Sequence, residues 1–302
     1  MSLRTTSGIQ QRQSLLDLQR TSERLSMNET RISSGKRLTN PGDDPTAAAS
    51  ILDLGNSIEA NTQFIKQANA AGAYLTSAED VVSAAINANM RLQELAQQGL
   101  STASAGTSSA IIPELDGIRA NLLSLANTKD QGKYLFAGTA TQTIPFVDGA
   151  PPAPPTYVGN SGTISLDVSA TTSVATNIPG DQVFLGAGGP AGSNFFQAIT
   201  DLRAALTANN AAGIQTAAGE LTTSLNFLTK AQTDIGGRQS SLLSLKDMLS
   251  GFNLSLQDLQ NNQQDTDYAK AAVEYASDQT MQSATLSVLA KSSKTNLFDF
   301  LA

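Results

Sequence analysis

The sequence predicts a mainly α-helical protein: an elongated antiparallel helical bundle or coiled coil with a small β insertion and weakly ordered terminal helices. Seven of the ten prolines lie between Pro145 and Pro190 and none follows, which predicts helical arms on both sides of a non-helical middle. Apolar residues in these arms recur every seven positions, as in helices that pack along one stripe. Aromatic residues make up only 5% of the chain, which favours thin helical packing over a broad core.

The downstream arm contains the clearest repeat, and we expect one helix over about 212–262. Gly236 and Gly237 are the point where this helix is most prone to kink. An ordinary globular helical core explains short stripes equally well, but seven unbroken heptad positions favour an elongated bundle. The unbroken seam is Ile214, Leu221, Leu228, Ile235, Leu242, Leu249 and Leu256.

An upstream arm supplies a partner stripe that runs from Ile51 to Ile86 with interruptions. Two shorter stripes, over 115–125 and 195–206, complete an antiparallel bundle. Between Lys133 and Arg203 the chain has no basic residue and is rich in Gly, Pro and Thr. The segment TISLDVS at 163–169 alternates polar and apolar residues, which predicts a strand within a β insertion.

The two ends of the chain form a third unit. Leu18, Leu25 and Ile32 are seven residues apart, and Ala269, Ala276, Ser283 and Ala290 keep the same spacing near the other end. Such small-residue stripes bury little apolar surface, so these helices should order only when other helices pack on them. We therefore predict three domains: 1–45 plus 263–302 (terminal helices), 46–137 plus 195–262 (helical bundle) and 138–194 (small β domain).

The stretch ISSGKRLTNPGDDPTAAAS at 32–50 is interpreted as a joint between two helices. A phosphate-binding loop is excluded because no strand precedes SSGKR and an arginine follows the lysine. The adjacent aspartates lack further ligands for a metal cage, so we expect helix capping instead. Glycine ends the first helix, basic residues complement its C-terminal dipole, and proline enters the first turn of the next helix. The joint residues are Gly35, Lys36, Arg37, Pro41, Gly42, Asp43, Asp44 and Pro45.

Composition excludes several classes of function. The net charge of -7, without a basic cluster, argues against nucleic-acid binding. Histidine and cysteine are absent, so histidine-based catalysis, cysteine nucleophiles and Cys/His zinc sites are excluded. We predict no catalytic residues, metal or cofactor. No apolar run approaches the ~20 residues that span a bilayer, and the N-terminus has no signal-peptide core, so we expect neither membrane insertion nor a cleaved signal peptide.

Motifs at both ends of the chain resemble the flagellin superfamily. ISSGKRLTNPGDDPTAAAS resembles its N-terminal motif, and DTDYAKAAVEYASDQTMQSATLSVLAKSSK at 265–294 resembles the partner motif at the C-terminus. Three further stretches resemble the branch that joins the flagellar hook to the filament: GKYLFAGTATQTIPF at 132–146, IGGRQSSLLSL at 235–245 and the ending NLFDFLA. A filament flagellin of similar length is the alternative within the same superfamily.

The resemblance implies a structural, extracellular protein of the bacterial flagellum, exported through the flagellar type III system without a cleaved signal peptide. It implies inner-tube terminal helices, a surrounding helical domain and an outer β domain. The implied partners are the first hook–filament junction protein, flagellin, an export chaperone and further copies of the chain in a ring of about eleven subunits.

Terminal helices that are weak alone could gain their packing from neighbouring subunits during assembly. For each candidate residue, plain pairing of the two terminal helices within one chain remains an equal alternative. The candidates for packing between subunits are Leu15, Leu18, Leu25, Ile32, Leu286, Leu289, Leu297 and Phe298.

Overall fold

The computed structural model describes residues 2–103, 108–149, 153–167, 173–187, 189 and 194–301, with side chains described only between Ile9 and Lys291. Seven α-helices lie within these ranges, so the predicted mainly α fold with a small β insertion is confirmed. They are α1 (Ser2–Ser34), α2 (Pro45–Ala103), α3 (Ile112–Ala126), α4 (Gly180–Phe184), α5 (Phe195–Thr207), α6 (Ala211–Gln264) and α7 (Tyr268–Leu301). A short 3₁₀ turn, Ser108–Ile111, precedes α3.

The described strands form three short antiparallel pairs between α3 and α5. The predicted strand at 163–169 contains the observed β5. The pairs are β1 (Lys129–Asp130) with β2 (Lys133–Tyr134), β3 (Phe146–Val147) with β4 (Thr156–Tyr157), and β5 (Ser165–Asp167) with β6 (Ser173–Ala175).

The chain forms two compact units, one of residues 61–251 and one of residues 1–60 with 252–302. In the first unit, α2 and α6 run antiparallel. The Asn89 amide donates to the carbonyl oxygen of Leu221 at 3.1 Å, and the Gln239 amide donates to Glu79 at 3.0 Å. Residues of the predicted α6 seam are buried here, with Ile214, Leu221, Leu228 and Ile235 fully inaccessible.

An aromatic cluster connects the β insertion to the helices of this unit. Phe146 of β3 contacts Phe184 of α4 and Phe196 of α5, each at a ring-centroid distance of 5.4 Å. The Arg238 guanidinium of α6 donates to the carbonyl oxygens of Ala175 and Asn177 at 3.2 and 2.8 Å. The insertion is therefore held both by apolar burial and by an arginine that binds its backbone.

In the second unit, α1 and α7 pack along their lengths as an antiparallel pair. Two successive contacts show the direction: Gly35 lies beside Thr266, and Asn28, earlier on α1, lies beside Asp278, later on α7. The same unit contains the first turns of α2 and the last turns of α6, where the Gln260 amide donates to the carbonyl oxygen of Ile51 at 3.4 Å.

The α6 helix continues without interruption through Gly236 and Gly237. No atom lies within 4 Å of the Cβ position that a side chain would introduce at Gly237, so we expect Gly237→Ala to raise the free energy of unfolding by about 0.5–1 kcal/mol. Urea unfolding followed by circular dichroism measures the change. As a control, Gly99→Ala should destabilise, because its Cβ would lie 2.4 Å from a methyl group of Leu206. A loss of stability in Gly237→Ala would contradict this account.

Candidate functional site

The joint between α1 and α2 begins where Gly35 ends α1. Its φ of +72° lies in the left-handed region, where a side chain is strained. A Cβ at this position would also lie 2.6 Å from the hydroxyl of Tyr268. The Gly35 amide donates to the carbonyl oxygen of Arg31 at 2.9 Å, which completes the last turn of α1.

The joint is hydrogen-bonded to a second joint, between α6 and α7. The Thr266 amide donates to the carbonyl oxygen of Gly35 at 2.9 Å, and the Arg37 amide donates to that of Gln264 at 2.7 Å. Lys36 and Asp265 form the isolated β-bridge between these bonds. The two connections between helices are therefore joined by backbone pairing, as in a very short β ladder.

Arg37 acts at a different helix end from the one that the sequence suggested. Its guanidinium donates to the carbonyl oxygen of Gln263 at 3.1 Å, in the last turn of α6 rather than of α1. The sequence analysis missed Gln263, Gln264 and Thr266 as parts of the joint. The DTDY step at 265–268 was the available signal, since it interrupts the helical pattern at that point.

The adjacent aspartates divide two structural tasks. Asp44 accepts hydrogen bonds from the Ala47 amide at 3.1 Å and the Thr46 hydroxyl at 3.0 Å, and so caps α2, which begins at Pro45. Asp43 accepts from the Asn40 amide at 3.1 Å and closes the turn that contains Pro41 and Gly42. In the part of the chain that the structure describes, no three Asp or Glu side chains come together as a metal site.

The cap lowers the pKa of Asp44 from its usual 3.8, mainly through the hydrogen bond from the Ala47 amide and then through the Thr46 hydroxyl. Folding therefore favours the ionised carboxylate. The resulting stability is fully present above the unfolded pKa and is lost as the pH falls through the lower folded pKa.

We expect Asp44→Ala to reduce the stability of the unit formed by 1–60 and 252–302, because the first turn of α2 loses its cap. Asp44→Asn is the matched control, since asparagine caps equally well but does not titrate in this range. Thermal unfolding between pH 2 and pH 7 distinguishes the two effects. The account is wrong if Asp44→Asn is as unstable as Asp44→Ala at neutral pH.

The predicted packing residues of the terminal helices divide into two groups. Leu18, Leu25, Ile32 and Leu289 are half-buried, whereas Leu15 and Leu286 are 53% and 50% exposed. The side chains of Leu297 and Phe298 lie outside the described residues. The predicted stripe of Ala269, Ala276, Ser283 and Ala290 is exposed, and α7 instead turns Ala271, Asp278 and Thr285 towards the less accessible face.

Each terminal helix also carries apolar residues on an exposed face. Ile9, Leu16 and Met27 of α1 are 66%, 49% and 44% exposed, and their spacings of seven and eleven residues place them on one face. Leu16 lies two positions before Leu18. At about 100° per residue, this exposed face is therefore about 200° around the helix from the half-buried leucines. On α7, the exposed apolar residues are Val273, Met281, Leu286 and Val288.

A buried polar cluster lies between the two terminal helices, and the sequence analysis did not predict it. Asn28 and Asp278 are buried, with only 5% and 2% of their surfaces exposed. The Asn28 amide donates to Asp278 at 3.1 Å, and the Arg24 guanidinium forms an ion pair with the same carboxylate. The hydrogen bond that Arg24 itself donates to Asp278, and then the charge of that carboxylate, raise the pKa of Arg24 above its usual value.

The fold and the paired end motifs are similar to those of flagellin-type helical proteins. Residues 7–141 match the family model of the bacterial flagellin N-terminal helical region. The chain is 28% identical over 270 residues to flagellar hook-associated protein 3 of Escherichia coli strain K12, covering 82% of this chain and 84% of that one. The protein of the same name from Salmonella typhimurium is also 28% identical, over 269 residues.

Solved structures show the same fold. A flagellar hook-associated protein from Vibrio parahaemolyticus superposes with a TM-score of 0.66 at 22% identity, covering 74% of this chain and 100% of that one. A flagellar junction protein from Legionella pneumophila gives 0.56 at 17% identity, covering 73% and 100%. The chain is therefore similar to flagellar hook-associated protein 3 over most of its length, the resemblance that its sequence motifs predicted.

Proposed function

We propose that this protein is a structural component of the bacterial flagellum and forms the junction layer between the hook and the filament. The observation that carries the proposal is the similarity to hook-associated protein 3 over 82% of the chain. Its relatives are structural flagellar proteins, and the joint aspartates are engaged as helix caps and turn acceptors. The protein acts by assembly, with the hook side and flagellin as its partners.

Assembly requires surfaces that one chain leaves uncovered. The exposed faces of α1 (Ile9, Leu16 and Met27) and α7 (Val273, Met281, Leu286 and Val288) supply apolar contacts for neighbouring subunits. The half-buried Leu18, Leu25, Ile32 and Leu289 contribute mainly to pairing within the chain. Subunits pack side by side in a ring of about eleven, between the first junction protein and the filament.

The chain is exported through the flagellar type III system without a cleaved signal peptide, and a chaperone binds its C-terminal segment before export. Weak terminal helices support this proposal, because a segment with little buried apolar surface unfolds readily and can be held by another protein. Among the described residues, none of the helices is long and apolar enough to cross a membrane.

The three-domain division proposed from the sequence is tested by limited proteolysis of the monomer. We expect cleavage to remove about 1–45 and 263–302 first and to leave the bundle with its β domain, because weakly packed helices open more often than the core. Mass spectrometry of the fragments locates the cuts. A chain that resists protease uniformly along its length would contradict the proposed weakness of the terminal helices.

Immunogold labelling of isolated flagella tests the proposed position, and a filament flagellin of similar length is the competing assignment. We expect antibodies against this chain to label a single band where hook and filament meet. Labelling along the whole filament would assign the chain to the filament itself. Antibodies against the filament flagellin of the same cells serve as the control, since they should label the filament and leave the band unlabelled.

A further inference from the structure

The cluster of buried Asn28 and Asp278, with the half-exposed Arg24 at its edge, is unusual for the place where it lies. The α1–α7 pair has few large apolar side chains on its inner face, and Thr21 is a further polar residue buried there, at 5% exposure. A buried carboxylate adds little net stability to such a pair, because its desolvation opposes the gain from its partners. A contribution other than stability accounts better for its position.

Apolar packing alone leaves the register of the two helices poorly determined. Leu18, Leu25 and Ile32 follow one another at intervals of seven residues. If α7 moved by one heptad along α1, two of the three positions of this equally spaced stripe would again meet inner residues of α7. The shifted pair would therefore keep most of the hydrophobic contacts of the native pair.

The polar residues distinguish these registers. In the native pair, Asp278 meets Arg24 and Asn28. Seven residues earlier on α1, the equivalent positions are Asp17 and Thr21, so a shift in that direction would bring Asp278 to another carboxylate. A shift in the opposite direction would place Asp278 at Arg31 and Gly35, where α1 ends and the backbone pairing of the joint begins.

We infer that Arg24, Asn28 and Asp278 determine the register of α1 on α7. The ion pair and hydrogen bond favour the native alignment, and Asp17 opposes the shifted one. The register decides which exposed apolar residues of the two helices lie side by side. This inference concerns pairing within one chain and stands independently of the proposed junction role.

Disulfide trapping in the full-length chain tests the inference, because the natural sequence contains no cysteine. In the native register, Thr21 and Thr285 lie one heptad along from the contact between Asn28 and Asp278 and should face each other. A disulfide between Thr21→Cys and Thr285→Cys therefore reports the native register. Ser14→Cys with Thr285→Cys reports the pair shifted by one heptad. Both reporters share the cysteine at 285, and mild oxidation followed by electrophoresis gives the yield of each.

In the otherwise natural chain we expect the native reporter to cross-link at least about tenfold more than the shifted one. In the triple variant Arg24→Leu, Asn28→Leu and Asp278→Leu, this ratio should fall towards one, while circular dichroism shows that helix content is kept. Apolar residues then replace the buried carboxylate and amide together with the half-exposed arginine that pairs with them, so no unpaired charge is left buried. Arg20→Leu, which removes the exposed partner of Asp17 and leaves the Asp278 contacts intact, is the control and should not lower the ratio.

Two results would overturn the inference. An unchanged ratio in the triple variant would show that the joint alone sets the register. Absence of cross-linking by both reporters in the natural chain would show that the α1–α7 pair with its polar cluster does not form in the full-length protein.

Discussion

Replacement of Phe146 by alanine is expected to lower the free energy of unfolding of the 61–251 unit by about 3–5 kcal/mol. Phe146 is completely buried, and its ring lies within 5.4 Å, centroid to centroid, of Tyr157, Phe184 and Phe196. The substitution removes the transfer free energy of the ring and leaves a cavity between β3, α4 and α5. The β insertion should therefore lose its main apolar attachment.

Urea unfolding followed by far-ultraviolet circular dichroism measures this effect, with tyrosine fluorescence as a second probe because the chain has no tryptophan. Ile144→Ala is the matched control: Ile144 lies two residues earlier and is 42% exposed, so its loss should change stability by less than about 1 kcal/mol. If Phe146→Ala and Ile144→Ala had the same small effect, the aromatic cluster would not be the attachment that the structure indicates.

Replacement of Leu286 by aspartate is expected to abolish incorporation of the chain into the flagellum. Leu286 is 50% exposed on α7, so a charge at this position is solvated in the monomer and should change its stability by no more than about 0.5 kcal/mol. In the proposed assembly, the same side chain packs against a neighbouring subunit, where an unpaired carboxylate would be desolvated. The variant should be a folded monomer that does not assemble.

Motility and electron microscopy of cells producing Leu286→Asp measure incorporation, and circular dichroism of the purified variant measures folding. Ser287→Asp is the control, since it introduces the same charge at the next exposed position, which is polar already. Normal incorporation of Leu286→Asp would remove this residue from the proposed contact surface. A loss of helix content in the purified variant would show that Leu286 belongs to the core of the chain.

The long helices were the most predictable part of this fold. The helix expected over about 212–262 is α6, Ala211–Gln264, and the upstream stripe lies within α2, Pro45–Ala103. Large aliphatic residues at seven-residue intervals define one face without ambiguity, and the absence of proline leaves no break. The double glycine at Gly236 and Gly237 is accommodated within α6. The buried residues before and after it, Ile235 and Leu242, hold the helix against its neighbours and outweigh the weak helix propensity of glycine.

The inner face of α7 could not be predicted in the same way. Its sequence is dominated by small and polar residues, and the stripe of Ala269 and Ala276 is more apolar than that of Ala271 and Asp278, which is the one that packs. The face that packs presents Asp278 to Arg24 and Asn28, which lie about 250 positions away in the chain. Local periodicity contains no information about such a pairing.

In the joint, too, local sequence patterns predicted the helix cap but not the contacts between distant segments. The capping of α2 by an aspartate before Pro45 follows from local rules and was predicted as Asp43 or Asp44. The bonds from Thr266 to Gly35 and from Arg37 to Gln264 join segments far apart in sequence. The end motifs of the superfamily indicated that the two segments belong together, but only the structure gives the backbone pairing between them.

Seeded polymerisation tests the proposed junction role most directly. Purified chain is added to hooks that already carry the first junction protein, and electron microscopy scores the length of the added material against a known flagellin under the same conditions. The account predicts a single short layer on each hook and no fibres in the absence of hooks. Long filaments formed by this chain alone would contradict it and would assign the protein to the filament.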